Sequence, residues 1–162
     1  MRNKLFITMS FAILVFAPTL SQAATRIDDP VKFVKSVYAQ LAALTPQKTY
    51  QEPEDIYTPH LAALWALEKK DAGDGVGTID FDFWVNGQDW TLSGVNVTEQ
   101  PVDGSLPRKI VIVKFKNFGK PQETHFYFEK TDAGWKLDDA RSLGMKGWTL
   151  SLVLKYGWDS PL

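Results

Sequence analysis

The sequence contains no cysteine and only two histidines, His60 and His125. Without cysteine the chain has no disulfide framework, no thiolate metal site and no thiol that could carry a lipid anchor. Neither histidine has a partner at the spacing of metal ligands, so a zinc or copper site would have to depend on carboxylates. The sequence therefore predicts no metal site and no cofactor.

Motifs for covalent and nucleotide chemistry are also missing. The chain has no Gly-x-Ser-x-Gly elbow, no Ser-x-x-Lys pair and no dinucleotide-binding fingerprint. Residues 71–77 (DAGDGVG) lack the lysine and serine of a phosphate loop and the ligand spacing of a calcium loop. We interpret this stretch as a flexible connector, and a nucleophilic enzyme is not favoured.

An excess of charge of one sign is missing too. The 18 basic and 19 acidic residues leave a formal net charge of −1, and the lysines are scattered along the chain. A protein that follows a phosphate backbone needs a basic stripe, so nucleic acid is not predicted as a partner.

The apolar run that follows the N-terminus has the features of an export signal. Arg2 and Lys4 precede an apolar stretch at residues 5–20, which is followed by the small-residue exit SQA at residues 21–23. This pattern predicts a signal peptide cleaved after Ala23 and a periplasmic or secreted product. An uncleaved anchor is the alternative, but Pro18 and the short run argue against stable membrane insertion. Cleavage of 23 of the 162 residues leaves 139, enough for a single domain at residues 24–162.

Two segments in which proline follows a capping residue predict N-terminal helices. The first begins at Asp29-Pro30 and the second at Thr58-Pro59, because the cap accepts backbone amides and proline loses no hydrogen bond at the first helical position. Each segment has apolar residues at helical spacing. In the first they are Val31, Val34, Val37, Tyr38, Leu41 and Leu44, and the helix is predicted to end before Thr45. In the second they are Leu61, Leu64, Trp65 and Leu67, and the helix is predicted to end before residues 68–70.

The stretch from residue 91 to residue 142 predicts an antiparallel sheet. Runs of branched and aromatic residues at 91–98, 110–115, 123–128 and 134–139 are separated by turn sequences. Gly94 interrupts the first run and predicts a β-bulge. In the third run Phe126 and Phe128 share one face, which we assign to the core, and His125 lies on the other.

Residues 79–90 (IDFDFWVNGQDW) concentrate aromatic and polar side chains in one short run. One interpretation is a structural plug, in which Phe83 and Trp84 cover the core and Gln88 or Asp89 holds a turn. The other interpretation is the mouth of a ligand pocket. We favour the plug, because turns rich in Asp and Asn need no ligand to explain them.

Two short motifs, IDFDF at 79–83 leading to Gln88-Asp89 and GWKLDD at 134–139, resemble the DUF3828 family of exported bacterial proteins. The resemblance covers about residues 30–156. That family is similar to the NTF2-like (cystatin-like) superfamily, which implies an α+β fold with N-terminal helices packed on a curved antiparallel sheet of about four strands enclosing a conical cavity. The resemblance implies no known activity. It favours a helix at residues 148–157, where the residue pattern alone fits a strand or a helix.

The leading functional hypothesis is a non-catalytic binding module for a small ligand or a peptide, because an aromatic cavity rimmed by a few polar groups is typical of such sites. The predicted site is the concave face of the sheet, with Trp84, Gln88, Asp89, His125 and Asp139 as ligand-binding residues. Asp139 alternates with its neighbours so that it shares a face with Leu137, while Asp138 points to the opposite face. A structural alternative is that Asp139 pairs with backbone amides or with Arg141.

Two other functions stay open. An isomerase-like or dehydratase-like enzyme would use Asp139, Asp80 or His125 as a single base. A protein-interaction role, such as an antagonist or immunity protein for a periplasmic enzyme or toxin, would use tryptophan anchors at Trp84, Trp90 or Trp158. The partner is then a periplasmic protein, or a second copy of the chain in a homodimer.

Overall fold

The computed structural model describes residues 25–44, 50–53, 55–144 and 147–158, so the predicted signal peptide lies outside the described residues. The elements in chain order are α1 (Pro30–Ala43), α2 (Pro59–Ala72), β1 (Leu92–Gln100), β2 (Arg108–Asn117), β3 (Lys120–Thr131), β4 (Gly134–Ser142), β5 (Trp148–Thr149) and α3 (Leu150–Tyr156). The strands form one antiparallel sheet in the order β1-β2-β3-β4-β5. The predicted α+β class is confirmed, with a short fifth strand in addition to the four predicted.

Across the described ranges, no helix is both long enough and apolar enough to span a membrane.

α1 begins as its sequence predicts. The Asp29 carboxylate accepts hydrogen bonds from the amides of Val31 at 2.9 Å and Lys32 at 3.1 Å. Hydrogen bonds from backbone amides favour the ionised carboxylate, and they hold the pKa of Asp29 below its usual value. The apolar stripe of the helix is buried against the sheet at Val34, Val37, Tyr38 and Leu41.

α2 is capped as predicted but is longer than predicted. Thr58 accepts a hydrogen bond from the amide of Leu61 at 3.3 Å, and Pro59 occupies the first helical position. The helix continues past residues 68–70 and ends at Ala72, so the connector predicted at residues 71–77 starts two residues too early. The Glu68 carboxylate accepts amide hydrogen bonds from Thr78 and Ile79, which ties the chain after the helix back to it.

The sheet has a core face covered by α1 and an outer face on the other side. On the core face, Phe126 and Phe128 of β3 are buried as predicted. Their cross-strand partners on β2 are Val111 for Phe126 and Lys109 for Phe128, so Val111 and Val113 follow the same face. His125 and Tyr127 alternate with the phenylalanines and therefore lie on the outer face.

The predicted bulge at Gly94 is confirmed. The pairing of β1 with β2 shifts register between Ser93 and Asn96, and Gly94 has a φ of +62°. A left-handed backbone at this position suits glycine, because a Cβ atom would approach the following carbonyl.

We expect Gly94→Val to lower the free energy of unfolding by about 1–2 kcal/mol, since a β-branched residue is strained at positive φ. A Cβ at Gly94 would meet no atom within 4 Å, so the cost would come from the backbone rather than from a clash. Gly104→Val is the matched control, because Gly104 has equally open surroundings without a positive φ. Equal urea midpoints for the two variants would contradict the role of the bulge.

β4 contains an extra residue at Asp138. Phe128 pairs with Leu137 while Tyr127 pairs with Asp139, so one residue of β4 has no partner on β3. An inserted residue moves the side chains that follow it to the other face of the sheet. Asp139 therefore shares the outer face with Tyr127, and the prediction that it shares a face with Leu137 is wrong.

The C-terminal stretch combines the two structures that its pattern allows. Trp148 and Thr149 form β5, which pairs with Ser142 and Arg141 of β4. The chain then forms α3, which is capped at its C-terminal end by Gly157 with a φ of +76°. The helix predicted at residues 148–157 is thus present but begins two residues later.

Short segments from the N-terminal half cover the remaining edge of β4. The amide of Leu137 donates to the carbonyl of Ile56 at 2.7 Å, and the amide of Thr58 donates to the carbonyl of Leu137 at 2.9 Å. The ammonium of Lys136, buried beneath this segment, pairs with the Asp55 carboxylate at 3.0 Å. These bonds hold residues 55–58, which lead into α2, against the edge of β4.

Candidate functional site: an acidic aromatic cavity

The run at residues 79–90 folds into a tight turn that closes the end of the core. The amide of Asp82 donates to the carbonyl of Gly87 at 3.0 Å, and the Asp82 carboxylate accepts the amide of Trp84 at 2.8 Å. Phe83 and Trp84 are buried, as the plug interpretation predicts. The side chain that holds the turn is Asp82, where Gln88 or Asp89 was expected.

One side of this turn faces a cavity of about 500 Å³, here called the aromatic cavity. Its described lining comes from the chain before α2, from α2 and from the turn: Tyr50, Glu52, Tyr57, Trp65, Ile79, Asp80, Phe81, Asp82, Phe83, Trp84 and Gln88. Six of these side chains are aromatic and three are carboxylates, and none of the described lining residues is basic. Residues of the run at 79–90 therefore cover the core, as the plug interpretation predicts, and also line this cavity.

Glu52 is a half-buried carboxylate of the aromatic cavity. It accepts a hydrogen bond from the Trp84 indole Nε1 at 2.9 Å and another from the Tyr57 hydroxyl. Burial removes water from the carboxylate and raises its pKa, and the two hydrogen bonds only partly offset that rise. The negative charge of Asp82 raises the pKa of Glu52 further.

Burial also raises the pKa of three neighbours of Glu52 in the cavity, namely Asp82, Tyr50 and Tyr57. Burial raises the pKa of Asp82, while the amides of Trp84 and Val85 lower it. Burial first, and the neighbouring Glu52 charge second, raises the pKa of the Tyr50 and Tyr57 hydroxyls far above the physiological range. Both tyrosines therefore present neutral hydroxyl groups at physiological pH.

Two polar atoms of the cavity wall are buried without a hydrogen-bond partner among the described residues. They are the hydroxyl of Tyr50 and the indole Nε1 of Trp65. A third such atom, the Thr124 hydroxyl, lies on the core face of β3 and does not line the cavity. Buried donors in native proteins are almost always paired, so these two unpaired donors are an energetic cost of the cavity wall.

The structure does not bring together the five side chains predicted to form the site. Trp84 is only 1% exposed and stacks on Phe126 within the core. Gln88 lines the aromatic cavity, where its amide donates to Asp80 at 3.3 Å. Asp89 is exposed, and its described contact is through its backbone carbonyl, which accepts a hydrogen bond from a neighbouring strand.

His125 lies on the outer face, away from Trp84. Its Nε2 is 2.7 Å from a carboxylate oxygen of Glu123, which also pairs with Lys114 at 3.3 Å. The hydrogen bond to His125, followed by the lysine, lowers the pKa of Glu123. These contacts form a cross-strand charge cluster on the outer face.

Asp139 anchors α3 to the sheet. Its carboxylate accepts the amide of Ser151 at 3.0 Å and the amide of Ala140 at 2.8 Å, and the Ser151 hydroxyl donates to it at 2.5 Å. Burial raises the pKa of Asp139, and these hydrogen bonds oppose the rise. The expected alternative, a carboxylate paired with backbone amides, is therefore confirmed. Its oxygens are already engaged in holding a helix.

A second cavity of about 460 Å³ lies on the outer face beside Tyr127. Because of the bulge in β4, both Asp138 and Asp139 line it, whereas simple alternation predicted opposite faces. Its other charged lining residues include Arg108 and Arg141, so both signs of charge are present. Asp138 accepts a hydrogen bond from Thr58 at 2.9 Å. Both carboxylates thus have structural partners, which makes this cavity the weaker candidate.

Of the three predicted tryptophan anchors, Trp158 is the one that is largely exposed. Trp84 is buried, and Trp90 is half-buried with its Nε1 donating to the carbonyl of Leu41 at 3.0 Å. Trp158 is 50% exposed and donates to the carbonyl of Thr78.

Sequence reasoning missed the part of the site that precedes α2. Tyr50, Glu52 and Tyr57 lie in a stretch without helical or strand periodicity, and no motif singled them out. The available signal was weak: one carboxylate close in sequence to two tyrosines. Asp82 was visible within an unusual run, but its burial beside Glu52 depends on contacts across 30 residues of chain.

Within the described residues no group of three or more His, Asp or Glu side chains is arranged to hold a metal ion. The chemistry of the aromatic cavity is therefore that of carboxylates, hydroxyls, indoles and ring faces.

No protein-family model, no curated protein and no solved structure matches the chain. The fold agrees with the one that the family resemblance implies in its α+β arrangement of N-terminal helices and an antiparallel sheet. The function is accordingly inferred from the chemistry of the aromatic cavity.

Proposed function

We propose that this protein is a non-catalytic binding protein for a small ligand, and that the aromatic cavity is its binding site. The observation that carries the proposal is the coincidence of six aromatic side chains and a half-buried carboxylate in the wall of one cavity. Ligand sites are typically concave, mostly apolar and supplied with a few polar groups that orient the ligand.

The size of the cavity is consistent with a metabolite. At about 500 Å³ it lies within the range of small-molecule sites, roughly 300–1,000 Å³. Its position supports the proposal as well, because the lining comes from a turn and from the chain before α2 while the sheet remains a filled scaffold. Binding residues are frequently carried by such connecting segments on a rigid framework.

We also propose that the chain is exported and belongs with the DUF3828 proteins of the NTF2-like superfamily. The order of helices followed by an antiparallel sheet supports the relationship, and the charged and apolar pattern of residues 1–23 supports export. The exported product is expected to have the intact mass of a chain beginning at Ala24. A full-length product retained in the membrane fraction would contradict export.

The binding proposal predicts a specific loss of affinity in a cavity variant. In a fluorescence screen of small metabolites and short peptides, we expect at least one compound to change tryptophan emission saturably. Trp65→Leu should weaken its binding about tenfold, because the variant removes a ring face and a donor from the cavity wall. Trp135→Leu is the matched control, since Trp135 is half-buried on β4 and does not line the cavity. Equal losses in the two variants, or binding that neither affects, would count against this site.

A second candidate is an acid–base enzyme, and the raised pKa of Glu52 beside Asp82 favours it. Paired carboxylates with raised pKa values in a cavity are common in active sites. In that case the acid would be Glu52, and not Asp139 or His125, whose polar atoms have partners on the outer face. Chemical conversion of a captured compound, abolished by Glu52→Gln while binding persists, would favour the enzyme over the binding protein.

A further inference from the structure

We infer that the ligand of the aromatic cavity is a small organic cation, an alkylated ammonium compound. The inference rests on the proposed function, since it names the class of ligand that the same cavity would take.

The charge of the cavity selects a cation. Glu52, Asp80 and Asp82 are acidic, and no described lining residue is basic. The ion pairs among the described residues include neither Glu52 nor Asp82. A partly buried carboxylate without a cation nearby is costly, and a bound cation would restore the balance of charge.

The ring faces of the wall select a large and weakly hydrated cation. The ring centroids of Tyr57 and Trp65 are 6.3 Å apart at 36°, and those of Trp65 and Phe83 are 6.3 Å apart at 40°. These three rings form a continuous tilted series along the wall of the cavity. Aromatic faces attract alkylated ammonium groups through the ring quadrupole, most strongly when water is excluded.

The hydrogen bonds of the wall refine the choice. Both carboxylate oxygens of Glu52 already accept a hydrogen bond, one from the Tyr57 hydroxyl and one from the Trp84 indole. Glu52 would therefore attract a ligand mainly through its negative charge and less through further hydrogen bonds. An ammonium group without N–H donors suits that arrangement.

Choline and 3,3-dimethylbutan-1-ol are the probes that separate charge from shape, because the second replaces the ammonium nitrogen by carbon and keeps the hydroxyl. By isothermal titration calorimetry we expect choline to bind saturably and the neutral isostere to bind at least about tenfold more weakly. Glu52→Gln should weaken choline about tenfold and leave the isostere unchanged. Glu99→Gln is the control, since Glu99 is an exposed carboxylate of β1 that pairs with Lys109.

Glu52→Gln is expected to fold. The amide oxygen of the variant can accept from the Trp84 indole, and its NH2 group can donate to the Tyr57 hydroxyl, so both contacts persist with the direction of the second one reversed. Burial raises the pKa of Glu52, so its ionised form at pH 7 is less favourable in the folded protein than in the unfolded chain. The neutral variant lacks this cost, and its urea midpoint at pH 7 should be no lower than that of the parent.

Equal affinities for the two probes, or a choline affinity that Glu52→Gln leaves unchanged, would overturn the inference about the cation while leaving the cavity as a ligand site. Failure of both probes to bind would also overturn it. In that event the screen with Trp65→Leu decides separately whether the cavity binds any ligand, so the two proposals fail on different results.

Discussion

Trp84→Ala is expected to lower the free energy of unfolding by about 3–5 kcal/mol, the range for loss of a large buried aromatic side chain. Trp84 is 1% exposed, and its ring stacks on Phe126 with centroids 4.6 Å apart at 25°. The ring edge also meets Tyr38 of α1 at 6.5 Å. The truncation would leave a cavity between α1 and the sheet and remove the indole donor to Glu52.

Urea denaturation followed by far-ultraviolet circular dichroism measures this effect. Trp158→Ala is the matched control, because Trp158 is 50% exposed and should cost roughly 1 kcal/mol or less. Trp84→Phe should fall between the two, since it keeps a stacked ring but loses the hydrogen bond to Glu52. Similar midpoints for Trp84→Ala and Trp158→Ala would show that the turn does not close the core.

Asn117→Ala is expected to cost about 2–4 kcal/mol, because one side chain satisfies three backbone groups and each buried group left unpaired costs roughly 1–3 kcal/mol. Asn117, at the end of β2, donates to the carbonyls of Val85 and Asp89, each at 3.2 Å. Its oxygen accepts the amide of Thr91 at 2.9 Å. The side chain thereby fixes the turn at residues 82–87 and the start of β1 to the sheet.

The control for this prediction is Asn96→Ala on the neighbouring strand. Asn96 is exposed on β1 and its substitution should change the unfolding free energy by roughly 0.5 kcal/mol or less. Hydrogen exchange adds a local measurement, since the amide of Thr91 should lose protection in Asn117→Ala. Unchanged exchange at Thr91 together with unchanged stability would exclude the anchoring role.

Features that depend on neighbouring residues were readable from the sequence. The start of α1 follows from Asp29 and Pro30, because a cap and a permitted proline act within one helical turn. The burial of Phe126 and Phe128 follows from alternation along one strand. The bulge at Gly94 follows from a residue whose conformational range is wider than that of its neighbours.

Features that depend on distant residues were not readable. Alternation predicted Asp139 on the core face, but the extra residue at Asp138 moved it to the outer face. Whether a strand absorbs an extra residue depends on the register of its partner and on the segments at its edge, here Ile56 through Thr58. The plug was predicted, but its anchor Asn117 lies about 30 residues away on another strand.

By itself, the sequence determined the three helices, four of the five strands, their order and most of the buried faces, because helix caps, turn residues and hydrophobic periodicity act over a few residues. Only the tertiary structure decided the candidate site. Glu52 became a half-buried carboxylate when the chain before α2 was held at the edge of β4 and the turn brought Asp82 and the Trp84 indole beside it. Burial and charge proximity are properties of residues that meet in space, and no local pattern encodes that meeting.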